Sequence, residues 1–133
     1  MGTPREDIRD TFAAAALEAA KAFGELVPYI HRGTTFNLWM LIGDETNLSE
    51  LVLGADTTKT GRMFTIARQQ ITIEDTAGPV VVYMPDFIYD TFEKGDVIPF
   101  DDVNYVVSDG VKSDSVRAVY KVPAVRTHVR RLK

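Results

Sequence analysis

Apolar and polar residues recur with a helical period near the start of this chain and with the two-residue period of a β-strand through most of the rest. Thr3-Pro4-Arg5-Glu6 holds every part of a helix start: a threonine cap, a proline at the first helical position and a glutamate that closes a capping box. The spacing predicts a helix from Pro4 to about Phe23, with Ile8, Phe12, Ala15, Ala19 and Phe23 as one buried stripe and Gly24 as its stop. Alanines at 13–16, 19, 20 and 22 keep this helix thin. It can pack closely on its own domain or on a neighbour's helix, and partial exposure to a partner is expected.

Thr34–Ile42 reads as a strand with Phe36, Leu38, Met40 and Ile42 on one face and Thr35, Asn37, Trp39 and Leu41 on the other. Trp39 is expected to fill core or interface volume. After a turn at Gly43–Thr46, Asn47-Leu48-Ser49-Glu50 repeats the capping-box spacing and predicts one or two helical turns ending at Gly54. Ala55–Gly61 is polar and reads as a flexible loop.

Arg62–Glu74 is a long strand with a fault in it. Phe64 and Ile66 occupy even positions and Ile71 and Ile73 odd ones, so the buried face changes parity around Arg68-Gln69-Gln70. Such a change requires a bulge, a sharp bend or a strand that passes from one sheet to another. Val80–Met84 follows as a further strand, and Asp86–Phe92 is either a helical turn or an extended loop. From Gly95 to Val122 come three short β-branched and aromatic runs: Val97–Phe100, Val103–Val107 and Val116–Val122. They are separated by an Asp101-Asp102 turn and a polar loop at Ser108–Ser115, which is the pattern of a compact antiparallel meander. Beyond it, Arg126, His128 and Arg130 alternate with Val125, Thr127 and Val129, predicting an exposed edge strand with one basic face or else a frayed terminus.

With 133 residues, 45% hydrophobic and 26% charged, the expectation is a single α+β domain spanning 1–133. A helix at 4–24 is followed by a mainly β region at 34–131 that forms a small antiparallel β-barrel or β-sandwich. No apolar run approaches the roughly 20 residues of a bilayer span, so no membrane partner is expected. The start of the chain shows no signal or transit pattern. Net charge is −4, unevenly spread. Acids dominate from Glu74 to Asp114, whereas from Arg117 onward every charged residue is basic. Body and tail are therefore either two solvated faces or complementary surfaces between copies.

The search for chemistry is mostly negative. Without cysteine there is no disulfide or thiolate site. His31 and His128, the two histidines, lie in no nucleophile motif, and His31 beside Arg32-Gly33 reads as a turn or surface residue. The aspartates at 101, 102, 109 and 114 do not form a calcium-loop pattern, and phosphate-binding glycine motifs are lacking. Neither enzymatic activity nor a cofactor or metal is expected. Tyr83, Tyr105 and Tyr120 are strand tyrosines of the kind that stack on nucleic acid, but mostly acidic surroundings oppose that use. An acidic lining does suit a channel through which DNA slides.

Lys94-Gly95-Asp96-Val97-Ile98, then Val103-Asn104-Tyr105-Val106-Val107, a loop and the closing run Val116–Val122, all behind a leading helix, resemble a known family. These are the head–tail connector proteins of tailed bacteriophages, also called head-closure, stopper, adaptor or head–tail joining proteins. In that family a Gly-Asp pair leads into a strand, a turn and a strand carrying Tyr-x-Val. The resemblance covers mainly residues 62–122, and the sequence between Phe36 and Gly61 departs from it. It implies a structural virion protein, present in the host cytoplasm during assembly. Its copies form a homo-oligomeric ring between portal and tail proteins, and DNA passes through the lumen without sequence-specific binding. Gly95 and Asp96 then form the turn that leads into the strand, and Tyr105 is a packed barrel residue. The loops Thr57–Gly61 and Ser108–Ser115 are candidates for lumen or partner contact, and Arg126, His128, Arg130 and Arg131 for contact with an adjacent copy or ring. The alternative is a small β-barrel binding module for an oligonucleotide or peptide.

Overall fold

The structure, a computed structural model, describes residues 4–55, 58–75, 78–84, 92, 94–108, 111–113 and 118–127, with the backbone alone for 4–9, 73–75 and 80–84. Helix α1 runs Pro4–Phe23, as the capping signal and spacing require, although the cap Thr3 lies outside the described residues. Among the described residues ten strands and one short helix follow: β1 Glu25–His31, β2 Thr34–Ile42, β3 Thr46–Asn47, α2 Leu48–Leu51, β4 Thr60–Ala67, β5 Gln69–Asp75, β6 Gly78–Met84, β7 Val97–Phe100, β8 Val103–Val107, β9 Lys112–Ser113 and β10 Val119–Arg126. Six of the strands close an antiparallel barrel in the order β1-β2-β4-β10-β8-β7, with β7 returning to β1 at the Ile30–Val97 pair. Closure removes the sheet edges that an open meander would expose.

Local turn chemistry sets the hairpins. Arg32 and Gly33 join β1 to β2, and Asp101 and Asp102 join β7 to β8, all four with positive φ. Two successive left-handed residues are what a tight hairpin needs to match the strand twist. The α2 turn is capped by Asn47, whose side chain accepts from the Ser49 amide.

The parity fault in Arg62–Glu74 resolves as the third of its options, a strand that passes between sheets. β4 pairs with β2 and β10 up to Ala67, and after Arg68 the chain leaves the barrel wall to form a two-stranded ribbon, β5 with β6. Gln69, almost fully buried, repairs the break. Its Oε1 accepts from the Trp39 amide at 2.8 Å and its Nε2 donates to the carbonyls of Trp39 at 3.0 Å and Ala67 at 2.9 Å. A side chain thus takes the place of the departed strand along β2.

The barrel interior is filled. Tyr29, Leu38, Met40, Phe64, Ile66, Ile98, Tyr105, Val107 and Val122 are its buried bulk, and the ring of Phe64 meets those of Phe100 and Tyr105 edge-on. Arg62 closes this cluster: its Nε donates to the Tyr105 hydroxyl at 2.8 Å, and its guanidinium lies over the rings of Phe100 and Tyr105.

Three sequence expectations need correction. First, β1 at Glu25–His31 was not foreseen, so the β region begins nine residues before Thr34. Its proline, Pro28, and mixed faces hide a strand that pairs along its full length with β2. Second, the predicted stripe of α1 is not the buried one. Ala13 and Ala20 pack on the barrel while Phe12 and Phe23 face outward, 53% and 86% exposed. Third, β10 is no edge strand through Arg126, because it is hydrogen-bonded to β4 on one side and β8 on the other, with Pro123 and Ala124 buried. His128 and the residues beyond it, like the expected turn or loop at Asp86–Phe92 apart from Phe92 itself, lie outside the described residues.

Candidate functional site

Three features of the surface and one of the interior bear on function. The first is a groove of about 440 Å³ between α2 and the outer face of the β8–β10 wall. Its apolar lining includes Val52, Leu53, Val106 and Val125, the last two being register partners across β8 and β10. Lys59 and Lys94 are the charged residues of that lining. Lys59 comes from the Thr57–Gly61 loop and Ser108 from the Ser108–Ser115 loop, and the fold brings these two sequence-selected loops to one place.

The second feature is a set of exposed apolar side chains at the end of α1 and on the β1–β2 wall, where Leu26 and Trp39 line a hollow with Thr34, Thr35, Asn37, Gln70 and Thr72. Phe23 ends α1, Leu26 is 51% exposed on β1, and Trp39 lies opposite Leu26 in the register with β2. Glu25 is exposed, and Asp101 shares a shallow hollow with Glu25 and Leu26. Lys21 is the cation of the helix's last turn.

The third is the β5–β6 ribbon. Among the described residues these two strands pair only with each other. A lone two-stranded ribbon is marginally stable in water. The sequence of β6, Gly78-Pro79-Val80-Val81-Val82-Tyr83-Met84, is apolar at consecutive positions, as in strands covered on both faces.

The interior feature is a polar triad. Asp96, nearly buried, accepts from the Tyr29 hydroxyl at 2.6 Å and lies 2.8 Å and 3.0 Å from the Nδ1 of His31. Facing a carboxylate, Nδ1 carries the ring proton. His31 is 2% exposed and its Nε2 is buried without a hydrogen-bond partner. The triad ties Tyr29 and His31 of β1 to Asp96, the residue before β7, and so braces the junction of these strands. The sequence reading of His31 as a turn or surface residue is therefore overturned. Its signal was available only through Asp96, 65 residues away.

The remaining residues selected from the sequence are placed as follows. Gly95 has φ of 99° and its amide donates to the Val107 carbonyl, leading the chain into β7. Tyr105 is fully packed inside the barrel. Arg126 Nη1 pairs with Glu45 of the same chain at 2.9 and 3.0 Å. The Arg126 hydrogen bond holds the Glu45 carboxyl below its usual range, and the same bond raises Arg126. His128, Arg130 and Arg131 lie outside the described residues. Among the described residues no cluster of three metal-ligating side chains forms, and no helix is long and apolar enough to cross a membrane.

No known protein family, no curated protein and no solved structure matches this chain. What it does must be argued from its own surfaces.

Proposed function

We propose that this chain is a structural virion protein that assembles as a ring at the head–tail junction of a tailed bacteriophage and continues the DNA channel between portal and tail. The observation that carries the reading is the β5–β6 ribbon, a two-stranded arm whose β6 is apolar and whose Ile71 on β5 packs on the core, built out of the wall of a solidly filled barrel. An interior packed with Tyr29, Phe64 and Tyr105 leaves the outside for binding, and an arm too small to stand alone is suited to lying on a neighbour. The acid-rich stretch from Glu74 to Asp114 suits a lumen that does not hold DNA by its phosphates. The resemblance around Lys94–Val107 supplies the identity of the ring.

Electron microscopy of the full chain, alone and mixed with a portal ring, tests this. Annular particles, or added density beneath the portal, are expected. A chain that stays monomeric with the portal and binds oligonucleotide in a salt-dependent way would instead establish the barrel-module alternative.

A further inference from the structure

β2 carries Thr35, Asn37 and Trp39 at alternate positions, and strand alternation turns all three to the outside of the barrel while Phe36, Leu38 and Met40 fill it. Leu26 of β1 stands beside Trp39 in the register. This outer face has a second wall next to it. Where the chain leaves the barrel, β5 and β2 enclose a hollow of about 570 Å³, with Leu26, Asn37 and Trp39 on one side and Gln70 and Thr72 on the other. Gln69 commits both ends of its amide to the Trp39 backbone and the Ala67 carbonyl, which fixes the meeting of the two sides. The hollow is therefore preformed, and its size is that of a small-ligand site.

Its lining differs from the rest of the chain. Charged residues make up 26% of the sequence, yet among the described residues that line the hollow none is charged. A carboxylate or an ammonium group finds no counter-charge there, and a nucleic acid finds no cation for its backbone. What the hollow offers is amides and hydroxyls. Asn37, Gln70, Thr35 and Thr72 each both donate and accept, and all four are exposed. Trp39, half-buried, and Leu26, 51% exposed, add an apolar surface among them.

A ligand that matches carries neutral hydroxyls and a flat apolar face on one molecule. A sugar ring has both, its hydroxyls at the rim and its C–H bonds on the faces. The polar side chains also come from β2 and β5 on two sides, which suits groups radiating from a ring better than the linear row of a peptide backbone. We infer that this hollow binds a neutral oligosaccharide, with a sugar ring laid on Trp39 and Leu26 and its hydroxyls met by Asn37, Gln70, Thr35 and Thr72. The inference goes beyond the ring reading and does not depend on it.

Trp39 is the single tryptophan, so its fluorescence reports the site directly. The full chain is titrated with maltotetraose, cellotetraose and chitotetraose, and saturation-transfer NMR identifies the sugar protons in contact. A saturable change with at least one of the three is expected, at a dissociation constant of about 1 mM or tighter, with the strongest transfer to ring C–H protons. Read by NMR, Trp39→Ala should weaken binding at least about tenfold, and the double variant Asn37→Ala, Gln70→Ala about tenfold. Thermal melts check that both fold; the double variant, at two exposed positions, decides alone if Trp39→Ala does not. No saturable change with any of the three sugars up to about 50 mM would overturn the site. Binding that the double variant leaves unchanged would put the sugar elsewhere and overturn it equally. A response to oligothymidylate or to a neutral glycine–serine peptide, with none to the sugars, would overturn it in favour of the barrel-module alternative. Annular assembly is read separately by electron microscopy, so failure here leaves the ring reading intact.

Discussion

Replacing Asp96 with alanine tests whether the buried triad is the brace that its geometry indicates. The substitution strands two donors, the Tyr29 hydroxyl at 2.6 Å and the His31 Nδ1–H at 2.8 Å, in a region closed to water. A hydrogen bond to a charged group contributes about 1.5 to 3 kcal/mol, and leaving its buried partner unsatisfied costs about 1 to 3 kcal/mol. These measures overlap and do not add, so the expected loss is about 3 to 5 kcal/mol, a large share of the roughly 5 to 15 kcal/mol that holds a domain together. Asp96→Asn keeps the shape and one acceptor but turns an amide N–H toward a donor, and should lose about 2 to 3 kcal/mol.

Urea unfolding followed by the fluorescence of Trp39, the single tryptophan, measures both. A double-mutant cycle with Tyr29→Phe should show a coupling of about 1 to 2 kcal/mol. A loss below about 1 kcal/mol for Asp96→Ala, or no coupling in the cycle, would refute the reasoning.

Three further outcomes follow from other contacts. Gln69→Leu removes the side chain that stands in for a strand beside Trp39, and a loss of about 2 to 4 kcal/mol in the same urea assay is expected. Gly24→Ala puts a Cβ 2.1 Å from the Met40 carbonyl oxygen, so α1 must lift from β2, and the melting midpoint should fall by an amount equivalent to about 1 to 3 kcal/mol. Glu45 has a folded pKa below its ordinary value of 4.5, so its pairing with Arg126 stabilises the fold above that pH and is lost as pH falls through the lowered value. Melting curves of the parent and Glu45→Gln should accordingly differ at neutral pH and converge in strong acid, by a modest amount because both side chains reach solvent.

The local signals in this chain were legible and the distant ones were not. The bounds of α1, the strand at Thr34–Ile42, the Asn47 cap and the Val97–Val107 hairpin all follow from caps, turns and alternation within a few residues. The parity change at Arg68 also showed in the sequence, but the remedy for it did not. Nothing local tells that Gln69 serves the backbone of Trp39, 30 residues earlier. His31 failed for the same reason: its meaning is Asp96, and a lone histidine beside Arg32-Gly33 looks like a turn residue until closure of the barrel brings β7 alongside β1. At Arg126 the alternation was real, yet both of its neighbouring strands, β4 and β8, lie far away in sequence.

The helix shows pattern and packing in conflict. A rod laid against a closed, curved barrel touches it along a narrow line, where only small side chains fit. Ala13, Ala20 and Gly24 occupy that line, and at Gly24 the approach is so close that a methyl group would overlap the Met40 carbonyl. The large residues Phe12 and Phe23 fall beside the line, with no wall to meet. Polar residues there would let the barrel and helix form equally well, so the folding of one copy gives no account of two exposed phenylalanines on one helix face. They form the apolar patch on which assembly, the proposed role, would draw.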